Sequence, residues 1–120
     1  MDDLYQEIIL DHAGNPRNFG TLAHPTHTVK EVNASCGDMV EIQLLIKGDK
    51  IQDVKWRNVG CAISTASCSM VSELIKGKPA AFVKKLTEKL LLKKMGMDAI
   101  LPTREKCLTL PLKALKTLVD

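Results

Sequence analysis

Three cysteines, at positions 36, 61 and 107, stand where a thiol could act as a metal ligand or a sulfur nucleophile. Cys36 ends a strand-like stretch in Ala34-Ser35-Cys36-Gly37-Asp38, and Cys61 follows Val59-Gly60 where a strand pattern gives way to a helical one. Cys107 is expected where an irregular segment meets the last helix. A helix N-terminus offers unpaired N–H groups and partial positive charge, which favour the thiolate that metal binding and sulfur chemistry both need. Asp38, two residues from Cys36 across a glycine, can turn its carboxylate toward the same point. Three thiolates and one carboxylate would complete a tetrahedral shell for zinc or hold the irons of a [2Fe–2S] cluster. The oxygen ligand is the weaker one, which suits a site that must release what it holds. A second reading stays open from the residues alone: free cysteine packs well, no Cys-x-x-Cys is present, and the three could fill the core.

The remaining reactive types are less suggestive. Cys68 follows Cys61 by seven residues on one predicted helix, about 10.5 Å along the axis, too far to share one ion with it, and is expected to pack. His12, His24 and His27 stand beside no cysteine and are expected as solvated helix-end or loop residues. Asp11-His12 has no serine partner at a suitable place, which sets hydrolase chemistry aside.

Elements distant in sequence must bring these groups together. Leu4, Tyr5, Ile8, Ile9 and His12 have helical spacing, and Gly14 then Asn15-Pro16 end that helix. Strands are predicted near 28–34, at 40–47, where Val40, Ile42, Leu44 and Ile46 alternate with polar residues, and at 51–59. Gly48-Asp49-Lys50 turns the chain between the last two. Ile63, Ala66, Met70 and Leu74 share one face of a helix over 61–76, closed by Gly77 and Pro79. Phe82, Leu86 and Leu90 predict another over 79–95, its lysines forming a solvated face. A loop over 96–106 and a final helix from Cys107 or Leu108, regular only after Pro111, complete the chain. The fold class is α+β: a three-stranded antiparallel sheet with an N-terminal helix and C-terminal helices on one side. The segments 14–27 and 96–106, rich in Gly and Pro, are expected to move and to order on binding metal or a partner.

At 120 residues and 13.2 kDa the chain is expected as one domain over 1–120. With 45% hydrophobic and 26% charged residues it is not a disordered tail. A net charge of +3 is too mild to argue for nucleic acid, and 3% aromatics leave few stacking platforms for a single strand. No apolar run has membrane-spanning length, and the acidic start, Met1-Asp2-Asp3, is not a secretory signal, so a cytoplasmic location is expected.

Taken together, these segments resemble the IscU/SufU/NifU N-terminal family of iron–sulfur cluster assembly scaffolds. The resemblance is carried by the Leu4-Tyr5 helix ending in Asp11-His12, by Asn15-Pro16-Arg17-Asn18-Phe19-Gly20 and by Cys36-Gly37-Asp38. Gly60-Cys61-Ala62-Ile63-Ser64-Thr65-Ala66-Ser67 and Cys107 with its Leu-rich sequel complete it. It implies a SufE/NifU-like fold in which Cys36, Asp38, Cys61 and Cys107 surround an assembly site for iron and a [2Fe–2S] cluster. It further implies a cysteine desulfurase as sulfur donor, apo iron–sulfur proteins as acceptors, and no nucleic acid or membrane. Cys36 and Cys107, on segments expected to be mobile, are the candidate persulfide acceptors, with Cys61 a fixed ligand.

The two branches of the family are both represented. IscU-type chains carry a histidine before the last cysteine where Lys106 stands here, whereas Arg104, three residues before Cys107, matches the SufU pattern. SufU-type chains also carry an insertion between the second and third cysteines, for which 77–101 is too short. Ser67-Cys68-Ser69 resembles the IscU side. Leu101-Pro102-Thr103-Arg104-Glu105 departs after two residues from the Leu-Pro-Pro-Val-Lys motif read by an Hsp70-type chaperone. The SufU likeness implies the alternative function, a zinc-dependent sulfurtransferase that activates a desulfurase, with Arg104 orienting the site or a partner.

Overall fold

The computed structural model describes residues 3–34, 37–96 and 102–119, and the side chains of 3–6, 102–104 and 119 lie outside that description. In chain order the elements are α1 (Asp3–Gly14), β1 (His27–Asn33), β2 (Asp38–Lys47), β3 (Lys50–Val59), α2 (Ala62–Ile75), a 3₁₀ segment (Ala80–Lys85), α3 (Glu88–Lys94) and α4 (Pro102–Val119). The strands form one antiparallel sheet in the order β1-β2-β3, as expected from the meander.

Alternation decides which face is covered. Val29, Ile42 and Trp56 pair across the three strands and are buried, as are Val40, Leu44 and Val54, on the face against which α2 and α4 pack. On the opposite face Lys30, Glu41 and Arg57 pair, and Arg57 reaches Glu41 at 2.8 Å. A register shift between Leu45 and Ile46 lets both Ile51 and Val54 point inward although they stand an odd three positions apart. The extra residue is Gln52 of β3, skipped between the Leu45–Asp53 and Ile46–Ile51 pairs. The core is completed by Ala66, Val71 and Ile75 of α2 and by Leu108, Ala114 and Leu115 of α4.

The C-terminal half differs from expectation in two places. The helix predicted over 79–95 is two pieces: Leu86 is extended, and Thr87 accepts a hydrogen bond from the Leu90 N–H at 3.1 Å, capping a new helix. Helix α4 begins at Pro102 rather than at 107, so Arg104 and Cys107 lie within it, and Pro111 sits inside the helix without ending it. Proline at the first helical position removes an N–H that has no intrahelical partner anyway, which makes 102 a natural start.

The segment after α1 is anchored rather than loose. Asn18 C=O accepts from Trp56 N–H at 3.2 Å, Gly20 N–H donates to Trp56 C=O at 2.9 Å, and Trp56 Nε1 donates to Arg17 C=O at 2.7 Å. This strap covers the free edge of β3, with the Phe19 ring set edge-on against Trp56 at 5.1 Å.

Candidate metal centre

The site lies where one end of the sheet meets α2 and α4. Asp38 is the first residue of β2, Cys61 is the N-cap of α2, and Cys107 is on the second turn of α4. One ligand atom from each lies within 4.8 Å of the others. In a tetrahedral zinc shell with bonds of about 2.0–2.3 Å, ligand atoms stand about 3.3–3.8 Å apart, so a small contraction closes the three around one ion. Cys36 lies outside the described residues. Arg104 is on the first turn of α4, one turn ahead of Cys107, and its side chain also lies outside the description. Lys106 is exposed.

The polar chemistry of the pocket fits a metal. Asp38 is buried, and its Oδ2 has no hydrogen-bond partner. A buried carboxylate oxygen without a partner is costly, and a cation is the partner that offsets the cost most fully. Burial, the neighbouring Asp38 carboxylate and the Cys61 thiol push the Cys107 thiol up to about 12. Cys107 therefore holds its proton without a metal, contrary to the expectation that a helix N-terminus would favour its thiolate. The helix begins five residues earlier, and burial outweighs what remains of the dipole. Nor does Cys107 sit on an irregular segment, as the sequence suggested; it is a buried helical residue. Cys61 is half-exposed, at the rim.

The local sequence explains the close approach. At Gly60 an added Cβ would lie 2.9 Å from Ser64 Oγ and 3.2 Å from Asp38 Cγ, so only glycine lets the chain pass between them before α2 starts. Ser64 is fully buried and accepts from Asn58 Nδ2 at 3.3 Å. In the sequence Gly60 and Ser64 stand out only as part of a motif; the position of Gly60 just before the cysteine at a strand-to-helix junction is the signal for its role.

Cys68 is buried in the core, its thiol pushed far above the usual range by burial, as packing predicts. His24 and His27 are exposed. His12 departs from expectation: it is half-buried, its Nδ1 lies 2.8 Å from Ser69 Oγ, and burial lowers its pKa. Arg17 N–H also donates to Ser69 Oγ at 2.9 Å, so this buried serine ties α1 and the strap to α2. The lysines at 84, 85, 89, 93 and 94 are solvated. Among the described residues, no helix is long and apolar enough to cross a membrane.

Comparison with known proteins agrees with this geometry. The chain is 36% identical to the protein named zinc-dependent sulfurtransferase SufU of Bacillus subtilis, covering 97% of this chain and 89% of that one. That alignment runs over 132 positions, longer than the 120 residues here. It is 34% identical to the iron–sulfur cluster assembly scaffold protein IscU of Aquifex aeolicus, over 92% of this chain and 71% of that one. A crystal structure described as a putative iron–sulfur cluster assembly scaffold protein for the SUF system, from Fervidobacterium islandicum, superposes with a TM-score of 0.78 at 31% identity, covering 95% of each chain. An N-terminal NifU-like protein of Brucella abortus, at 22% identity and a TM-score of 0.79, shares the fold. The NifU-like N terminal domain family matches residues 4–120, and the chain belongs to this IscU/SufU/NifU N-terminal family.

Proposed function

We propose that this protein is an iron–sulfur cluster assembly scaffold in which Cys36, Asp38, Cys61 and Cys107 hold iron and a nascent [2Fe–2S] cluster as cargo. The observation that carries the reading is the convergence of Asp38, Cys61 and Cys107 on one point with Asp38 Oδ2 buried and unpartnered. Cys36 is two residues along the chain from Asp38, a reach of at most about 7 Å, which supports it as the remaining ligand.

A persulfide on a cysteine desulfurase supplies the sulfur. A thiolate of this chain attacks the outer sulfur; the bond between the two donor sulfurs breaks, the desulfurase thiolate leaves with that electron pair, and the sulfur stays here as a persulfide. Burial and the retained proton make Cys107 a poor first nucleophile, which supports Cys36 as the initial acceptor. The pocket keeps Asp38 and Cys107 out of water, so the carboxylate competes for iron with little solvent beside it. As the single oxygen donor, Asp38 is the ligand that yields first when the cluster passes to an apo-protein.

The second reading is a zinc-dependent sulfurtransferase, favoured by the 36% identity to a protein of that name and by a donor set that suits zinc as well as iron. Anaerobic reconstitution with a desulfurase, iron and cysteine tests the two. A [2Fe–2S] absorption spectrum and donation to an apo-ferredoxin support the scaffold. Bound zinc that is required for desulfurase turnover, with no cluster formed, supports the transferase. Protein that holds neither metal nor cluster overturns both.

A further inference from the structure

The distance between the Cys61 and Cys107 sulfurs depends on how α2 and α4 are held against each other. The two helices pack on each other, and each buries apolar side chains in the common core: Ala66, Val71 and Ile75 of one, Leu108, Ala114 and Leu115 of the other. Such contacts are non-directional and fix the sliding of one helix along the other only loosely. One directional contact crosses the interface among the described residues: the hydroxyl of Ser67, fully buried, donates to the backbone C=O of Leu108. Leu108 is the residue after Cys107. Ser67 is six residues from Cys61, about 9 Å along the α2 axis.

Helix α4 is weakened at this same place. The N–H that would bond the Cys107 carbonyl belongs to residue 111, which is proline and has none. A proline ring also crowds the carbonyl four residues before it. The ladder of α4 is thus broken at the ligand-bearing residue, and the adjoining carbonyl is fastened to another helix instead.

We propose that Ser67 is a positioning residue for the metal centre: its hydrogen bond to Leu108 C=O sets the place of the Cys107 thiol, compensating for the bond that Pro111 removes. The proposal rests on the reading of Asp38, Cys61 and Cys107 as a metal centre. Its chemistry is that of an outer partner that orients a ligand without touching the metal.

Titration of the metal-free protein with cobalt(II) and with zinc, read by the thiolate-to-cobalt absorption and by competition with a chelator, tests it. Ser67→Ala is expected to weaken metal binding about 10- to 100-fold and to alter the cobalt spectrum, while Ser67→Thr, which keeps the hydroxyl, restores both. Val71→Ala, a buried apolar truncation on the same helix, is expected to lower the thermal midpoint at least as much but to leave affinity within about twofold, because it leaves this polar contact in place. In a Pro111→Ala background, where the helix can hold Cys107 itself, Ser67→Ala is expected to cost about twofold or less. An unchanged spectrum and affinity for Ser67→Ala, or an equal loss for Val71→Ala, overturns the proposal. Should Ser67→Ala not fold alone, an undiminished loss in the Pro111→Ala background overturns it equally. Wild-type protein that binds no metal, or binds it unaffected by Cys107→Ser, refutes the metal centre itself and is distinguishable from these results.

Discussion

The Asp38 carboxylate, at the first residue of β2, has a ligand oxygen within 4.8 Å of the Cys107 sulfur on α4, and its buried Oδ2 has no hydrogen-bond partner. Two acidic groups therefore share one pocket, one holding a proton and the other holding an unpartnered oxygen. A metal ion bound here would resolve both at once, displacing the proton and partnering the oxygen.

Proton release follows. With its thiol pushed up to about 12, Cys107 must lose a proton on binding metal at any ordinary pH. Metal affinity is expected to rise about tenfold per pH unit from this group alone between about pH 6 and 9. Cys107→Ser should lower the slope of log affinity against pH by about one; a slope unchanged by that substitution contradicts the assignment.

The metal-free protein should weaken in base. The folded thiol of Cys107 is raised above its unfolded value near 9.0, so the unfolded chain loses this proton first as pH rises. The native state then binds more protons than the unfolded one, and stability falls with increasing pH. Its contribution is complete below about pH 9 and is lost between about pH 9 and 12, with buried Cys68 acting in the same direction. Thermal midpoints across that range measure it, and Cys107→Ser should flatten the decline.

Asp38→Ala should remove the proposed oxygen ligand while leaving the cysteines in place. Cluster transfer to an apo-ferredoxin is expected to slow about tenfold or more, a barrier increase of about 1.4 kcal/mol. Transfer at the wild-type rate would remove Asp38 from that role.

Gly60→Ala places a carbon against Ser64 and Asp38 at 2.9–3.2 Å. Strain from overpacking of about 1–3 kcal/mol is expected, together with weaker metal binding, because Asp38, the proposed oxygen ligand, is crowded along with Ser64. Denaturant unfolding and metal titration read the two effects separately.

Chelation should leave the fold standing. The core around Trp56, Leu44, Ile51 and Leu115 includes none of Asp38, Cys61 and Cys107, so far-UV circular dichroism is expected to persist with a lowered thermal midpoint. Complete unfolding on metal removal would make the site a structural one.

Much of the architecture was readable because its signals are local. The alternation of Val40, Ile42 and Leu44 against Glu41 and Gln43 marks a half-buried strand within a few residues, and Gly77 with Pro79 ends α2 by backbone sterics alone. Where tertiary packing overrode local preference, the reading missed. The spacing of Phe82, Leu86 and Leu90 suggested one helix, yet Thr87 caps a second one. Pro102 and Pro111 suggested irregular chain, yet the buried face of Leu108, Leu112 and Leu115 holds α4 helical through both.

The amino-acid order alone determined which residue types could do chemistry, and Gly60, where the strand period gives way to a helical one, already marked the end of an element. It did not determine that Asp38, Cys61 and Cys107 meet, nor that Cys107 is buried and protonated, nor that Ser67 reaches Leu108. Those facts arise from contacts between residues far apart along the chain. Periodicity encodes which face an element buries, whereas the mutual placement of β2, α2 and α4 depends on how all their side chains pack at once.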